Sequence, residues 1–200
     1  MRTARSWTSS AGGWSLPCSA WATAEGAGVS AAGFGESCDP GLDAVGRKQA
    51  EELAEQLAPR GPLPLLSSPL RRTRETAAPL AQLWKVEPVI EEAVAEIPSP
   101  TDNLQARAAW LREFMAGSWR DAAPALAQWR ENVLDALLSI GNDTVIFSHY
   151  IAINVAAGAS LDNDHVVVFS PDNCSVTVFE NEGRLRLIDK GREAPLTKVN

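Results

Sequence analysis

Apolar positions along this chain change their spacing several times, and each change marks an expected element. From Asp43 to about Leu57, Val45, Leu53 and Leu57 recur near one helical face, with Ala50 and Ala54 between them and Asp43 as N-cap. Arg60-Gly61-Pro62 ends that helix, and the apolar run Leu63 to Leu66 predicts a short strand. A second helix is predicted from about Leu70 to Trp84, with Pro79 as a candidate kink. Glu87 to Glu91 reads as extended, and Ile97-Pro98-Ser99-Pro100 breaks the chain. Helices follow from Asn103 to about Met115 and from about Pro124 to Ser139. In the second, Leu126, Trp129, Val133, Leu134 and Leu137 form a core stripe. Gly141-Asn142-Asp143 turns into Thr144 to Phe147, the continuous β-rich run expected of a strand covered on both faces. Ile151 to Ala157 predicts a helix. Three β-rich runs close the chain, His165 to Phe169, Ser175 to Phe179 and Arg184 to Ile188, the last two joined as a hairpin.

This alternation predicts an α/β sandwich built on a mixed sheet. Residues 1–36 break the pattern. They are rich in Ala, Ser and Gly, and Leu16 and Val29 are the only Leu, Ile or Val among them. Trp7, Trp14 and Trp21 recur every seven residues, but one apolar heptad position makes no coiled-coil seam. Arg2 and Arg5 are followed by no apolar stretch of the kind a signal peptide needs. The chain therefore divides, as expected from sequence, into an irregular or poorly ordered segment over 1–31 and a folded domain over 32–200.

Composition narrows the function classes. The chain has 200 residues, 45% apolar and 22% charged, with a net charge of −7 and a pI near 4.9. That acidity argues against a broad nucleic-acid footprint, and no run approaches a membrane span. Cys18, Cys38 and Cys174 are odd in number and far apart, without metal-ligand spacing, as expected of thiols in a reducing cytoplasm.

Against that acidic background, Pro64-Leu-Leu-Ser-Ser-Pro-Leu-Arg-Arg-Thr-Arg-Glu-Thr76 is a local positive feature. A strand ending in Ser67 and Ser68 hands over to a helix start carrying Arg71, Arg72 and Arg74. Such a junction offers free backbone N–H groups, a helix dipole and guanidinium forks to an anion. Val145-Ile146-Phe147-Ser148-His149 has the same form, strand then small polar residue then helix. Strand ends of this kind converge on the ligand crevice of an open α/β sheet. His149 is thus a candidate functional group, whereas His165, the second of two histidines, sits at a loop edge. Glu91, Glu92 and Glu96 offer carboxylates after the extended segment.

Taken in order, Leu42-Asp-Ala-Val-Gly-Arg-Lys-Gln-Ala50, Ser67-Ser-Pro-Leu-Arg-Arg-Thr-Arg-Glu-Thr-Ala77, Ala95-Glu96-Ile97 and Val145 to His149 resemble signatures of the histidine phosphatase (phosphoglycerate mutase-like) superfamily. The resemblance covers about residues 32–180. It implies a three-layer α/β/α fold around a mostly parallel mixed sheet, with a small phosphorylated substrate and phosphoryl chemistry run on side chains in the cytoplasm. It implies that Arg72 and His149 hold the phosphate, that Glu96 protonates the leaving oxygen, and that no metal or organic cofactor takes part. These roles suit a transferring phosphoryl group, whose oxygens need neutralising and whose leaving group needs a proton.

One defining part is missing. The family's nucleophile lies in an Arg-His-Gly motif after the first strand, and here no histidine precedes His149. By spacing, Gly28-Val29-Ser30 falls near its place, and the first strand is expected to be degraded or missing. Three accounts stand at this level: an N-terminus read in the wrong frame, a pseudoenzyme that keeps the phosphate pocket, or an unrelated α/β binding domain. Under either of the first two, this polypeptide is expected to be catalytically impaired.

Overall fold

The computed structural model describes residues 19–23, 39–101 and 103–194. Its sheet contains β1 (Ser19–Thr23), β2 (Leu65–Ser67), β3 (Val89–Ile90), β4 (Val145–Ser148), β5 (Val176–Asn181) and β6 (Leu185–Asp189). The helices are α1 (Ala44–Leu57), α2 (Arg71–Trp84), α3 (Leu104–Met115), α4 (Pro124–Leu138) and α5 (Tyr150–Ser160). Strand order is β3-β2-β4-β1-β5-β6. The first four are mutually parallel, β5 pairs antiparallel to β1, and β6 pairs antiparallel to β5.

β4 decides the layering. Val145 and Phe147 pack with Leu53 and Leu57 of α1 and Leu80 of α2. Ile146 points the other way, into Val133 and Leu137 of α4 and Ile151 and Ile153 of α5. Side chains alternate across a strand, so a run buried throughout must be covered on both faces. The result is three layers, with α1 and α2 on one side and α4 and α5 on the other. Each fully buried side chain such as Phe147 or Ile146 contributes about 2 kcal/mol through burial.

α1 begins where Asp43 accepts the Gly46 N–H at 2.8 Å. Its inward stripe is Gly46, Ala50, Leu53, Ala54 and Leu57. Val45, expected on that face, is instead 56% exposed. The spacing explains this: 46, 50, 53 and 57 advance by four, three and four, while 45 to 53 drifts off the stripe. α2 runs without interruption through Pro79 to Trp84, whose indole N–H donates to the Ala58 carbonyl at 3.0 Å.

Two further expectations are corrected. The first strand is present: Ser19–Thr23 lies between β4 and β5, pairing Ala20 with Val145 and Thr23 with Ser148. Partners on both sides impose an extended backbone on a sequence of low strand propensity. The remainder of 1–31, and with it Gly28-Val29-Ser30, lies outside the described residues. His165 to Phe169 is not a strand. The side chain of Asn154 accepts the N–H groups of Val168 and Phe169 at 2.8 and 3.1 Å, taking the place of a ladder partner. Among the described residues, no helix is long and apolar enough to cross a membrane.

Candidate active site

The parallel neighbours β2 and β4 set the site. Ser67 is in register with Phe147, and the Ser68 N–H donates to the Phe147 carbonyl at 2.9 Å, so both strands end at one level. Beyond β2 the chain turns through Ser68-Pro69-Leu70. Ser68 Oγ accepts the Leu70 N–H at 3.3 Å, and Thr73 Oγ1 donates to the Ser68 and Leu70 carbonyls. These bonds fix how α2 leaves the sheet. Beyond β4, His149 is the N-cap residue of α5, in extended conformation and fully buried.

The helical turn sorts the three arginines. Arg72 lies one turn before buried Thr76 and two before buried Leu80, so it faces inward. Its Nη2 lies 3.0 Å from His149 Nδ1 and 3.5 Å from Glu96 Oε2. Arg71 faces away and donates from Nε to Glu75 at 2.6 Å, while Arg74 is exposed. Glu96 is carried on the segment after a 3₁₀ turn at Glu92–Val94. The Ser148 hydroxyl donates to the Val94 carbonyl at 2.8 Å, strapping that segment across the end of β4. Glu91 accepts from the Ala93 N–H within its own turn, Glu92 is exposed, and neither enters the site.

Donor chemistry fixes the state of His149. A guanidinium can only donate, so Nδ1 must be an acceptor and the proton lies on Nε2. Nε2 then donates to Ser68 Oγ at 2.7 Å. A neutral ring agrees with the electrostatics: burial first, then the charges of Arg72 and Arg107, hold its pKa well below the usual histidine value. The 3.7 Å approach of Glu96 to Nδ1 is therefore not an ion pair, and the charge pair is Arg72–Glu96. Among the described residues, the charges of Arg72 and Arg107 both act on His149, and the Glu96 carboxylate faces Arg72.

Arg107, in the first turn of α3, carries no sequence signal that separates it from the chain's other arginines. Ser68 and Ser148 were legible as small polar residues at strand ends, but their bonding partners were not. His165 is exposed, bridges Ser118 through its backbone and lies apart from the site.

A clasp holds the chain that enters α1 against the outer side of α2. The Arg71 N–H reaches both Asp39 oxygens at 2.8 Å, and Glu75 Oε2 accepts the Leu42 N–H at 2.6 Å. A Cβ at Gly41 would lie 2.7 Å from Glu75 Oε1 and 2.8 Å from Arg71 Nε, so a side chain here would make these two side-chain ends shift. Burial pushes the Glu75 carboxyl up, yet the Leu42 N–H and the Arg71 guanidinium outweigh it and hold it below the usual value.

A concavity of about 190 Å³ lies elsewhere, lined by residues including Gln56, Arg60, Cys174 and Arg192. Its thiol is pushed up to about 11, chiefly by burial, and is no nucleophile at neutral pH.

Comparison with known proteins gives one consistent picture. The profile of the histidine phosphatase superfamily (branch 1) matches residues 24–190. A phosphoserine phosphatase variant from Entamoeba histolytica, histidine changed to alanine and in complex with phosphoserine, superposes with a TM-score of 0.66 at 23% identity, covering 86% of this chain and 95% of that one. A mycobacterial glucosyl-3-phosphoglycerate phosphatase in complex with inorganic phosphate gives 0.63 at 20% identity, covering 88% and 97%. Mycobacterial hydrolase 1 gives 0.65 at 20% identity, covering 88% and 99%. A PE-PGRS family protein, PE_PGRS11 of Mycobacterium tuberculosis, is 44% identical over 59 residues, 29% of this chain. The match spans about a tenth (10%) of that protein's length.

Proposed function

The chain belongs to the histidine phosphatase superfamily, and from that premise we propose that it binds a small phosphorylated ligand between Arg72 and His149 with little turnover of its own. Arg72 would take the equatorial oxygens, His149 would stabilise them from the other side, and Glu96 stands where a leaving oxygen needs its proton. The observation that carries the reading is the convergence of these three groups within 3.0–3.7 Å, in a chain with no histidine before His149.

The anion half of the proposal is supported by charge and geometry. The Arg72 fork uses one nitrogen on His149 and Glu96, and a guanidinium carries five N–H donors. The relative solved with phosphoserine lends weight as well, because a phosphoester is held there in a variant that has lost a histidine. The impaired half rests on chemistry. Removing a nucleophile from a group that acts as a unit costs on the order of 10⁴–10⁶ in rate. His165 does not replace it, since an attacking atom must stand in line with the leaving oxygen.

Titration with inorganic phosphate, alongside a p-nitrophenyl phosphate assay, tests both halves. Arg72→Ala is expected to weaken phosphate binding about a hundredfold, through loss of two charge-assisted hydrogen bonds. The wild-type chain is expected to show only background hydrolysis. Robust turnover that disappears in His149→Ala would overturn the impairment, and binding unaffected by Arg72→Ala would overturn the site.

A further inference from the structure

Helix α3 packs through one stripe. Trp110, Leu111 and Phe114 are half-buried against the core on the α4–α5 side, and Arg107, also half-buried, continues that stripe towards the N-terminus. Its neighbours Ala106 and Ala108 are exposed. Helical side chains lean over the preceding turn, so Arg107 is directed towards the end of α3 at which the chain arrives from Glu96. Deepening the anion-binding reading above, on which it rests, we infer that Arg107 is a specificity-determining residue that takes a carboxylate borne by the organic part of the phosphorylated ligand.

Comparison with the other half-buried arginines makes Arg107 the odd one. Arg72 meets Glu96 and His149, and Arg130 meets Glu131 and lies over the Trp119 ring. Among the described residues, the Arg107 guanidinium has no ion pair, hydrogen bond or ring contact. Packing of its aliphatic stem accounts for the partial burial but not for the charge. The position works against a cation twice over. Partial burial removes water without supplying a counter-charge, and the positive end of a helix disfavours a guanidinium. No acidic residue in the first turn of α3 offsets that. A bound anion would relieve both costs.

The anion is a second group of the ligand rather than its phosphate. Arg72 Nη2 and His149 Nδ1 are 3.0 Å apart, close enough to share one oxyanion. Arg107 bonds to neither of them nor to Glu96, although its charge acts on the His149 ring. A ligand that meets all of them must therefore extend beyond the phosphate, towards α3. A carboxylate suits this place: the planar fork matches its two oxygens, and one guanidinium neutralises one negative charge. A second phosphoryl dianion would keep a charge that Arg107 alone does not balance.

Calorimetry of the full chain with two matched phosphoesters tests the assignment. 2-Carboxyethyl phosphate and propyl phosphate differ by a carboxylate in place of a methyl group. The first should bind about tenfold more tightly to the wild-type chain, as expected of a charge-assisted contact. In Arg107→Gln the preference should shrink to less than about twofold, while sulfate, which has no organic part, should weaken by less than about threefold. Arg107→Lys, which keeps the charge and loses the fork, should retain a preference of about threefold. Arg112→Gln, a charge lost from the exposed side of the same helix, should leave the preference unchanged. Equal affinity of the two esters for the wild-type chain, or a preference that survives in Arg107→Gln, overturns the inference while leaving anion binding intact. So does an equal loss of sulfate and both esters in Arg107→Gln, which would place Arg107 on the phosphate. A larger gain for 1,3-propanediyl bisphosphate than for the carboxylate ester overturns the choice of carboxylate. Failure of sulfate, phosphate and both esters to bind overturns the anion site itself, and the inference with it.

Discussion

β1 and β4 are parallel neighbours in the middle of the sheet, Thr23 opposite Ser148, yet the residues after their ends differ completely. β4 hands over to His149 and then directly to α5, with Ser148 holding the Glu96 segment and Ser68 holding the ring. After Thr23 the sequence reads Ala24-Glu25-Gly26, with no imidazole and no guanidinium. Strand pairing asks only for backbone donors and acceptors in register, which almost any residue supplies. Chemistry asks for particular side chains at one level. A fold can therefore keep a strand while losing the reactive group that the strand would carry.

The largest effect should come from supplying that group. Ala24 follows β1 in sequence as His149 follows β4, so position 24 is the one at which a second imidazole is tested. Ala24→His is expected to raise p-nitrophenyl phosphate hydrolysis at least a hundredfold over the wild-type chain, a part of the 10⁴–10⁶ that a nucleophile contributes. The gain should vanish in Ala24→His/His149→Ala, and ³¹P spectra should show a phosphohistidine during turnover. An inactive Ala24→His protein that still binds phosphate would mean that the two strand ends are not equivalent after all.

The same contrast explains what could be read from sequence. The β4 side was legible because local pattern and tertiary role agree. Val145 to Phe147 is apolar throughout and doubly covered, and Asp43 caps the helix that its position suggests. Arg72 was singled out over Arg71 only through the family resemblance; helical phase from Thr76 and Leu80 is the physical reason it faces inward. Ser19–Thr23 was not legible, because its extension is imposed by β4 and β5 rather than by its own residues. His165 to Phe169 failed in the opposite sense: its composition suits a strand, but Asn154 takes its backbone donors. Arg107 was invisible because its influence on His149 acts through space and leaves no motif.

A second, smaller effect separates the sides by pH. Burial, then Arg72 and Arg107, depress the His149 pKa, so the folded protein binds fewer protons here than the unfolded chain. Below the unfolded value of about 6.5, stability should fall as pH falls, by about 1.4 kcal/mol per unit, until the folded value is reached. Glu75, also held low, contributes a loss of the same sign only at lower pH, through and below its ordinary carboxylate range. Urea midpoints measured from pH 7 to pH 5 should therefore slope downwards for the wild-type chain and flatten in His149→Gln. Equal slopes in both proteins would show that the ring is not held neutral by its surroundings.

The smallest effect concerns the joint between the two sides. Asp39 is the first described residue after β1, and its carboxylate takes the Arg71 N–H, one residue from Arg72. A helix-capping carboxylate of this kind is worth about 1 kcal/mol. Asp39→Ala should cost that much in urea unfolding, with Asp39→Asn recovering most of it. Sulfate affinity should change less than twofold, because the lost contact is to the Arg71 backbone and the Arg72 fork keeps its own partners, His149 and Glu96. If affinity instead fell in step with stability, the clasp at Asp39 would have to be counted as part of the anion site. The division between a scaffold side and a chemical side would then run through α2 rather than between β1 and β4.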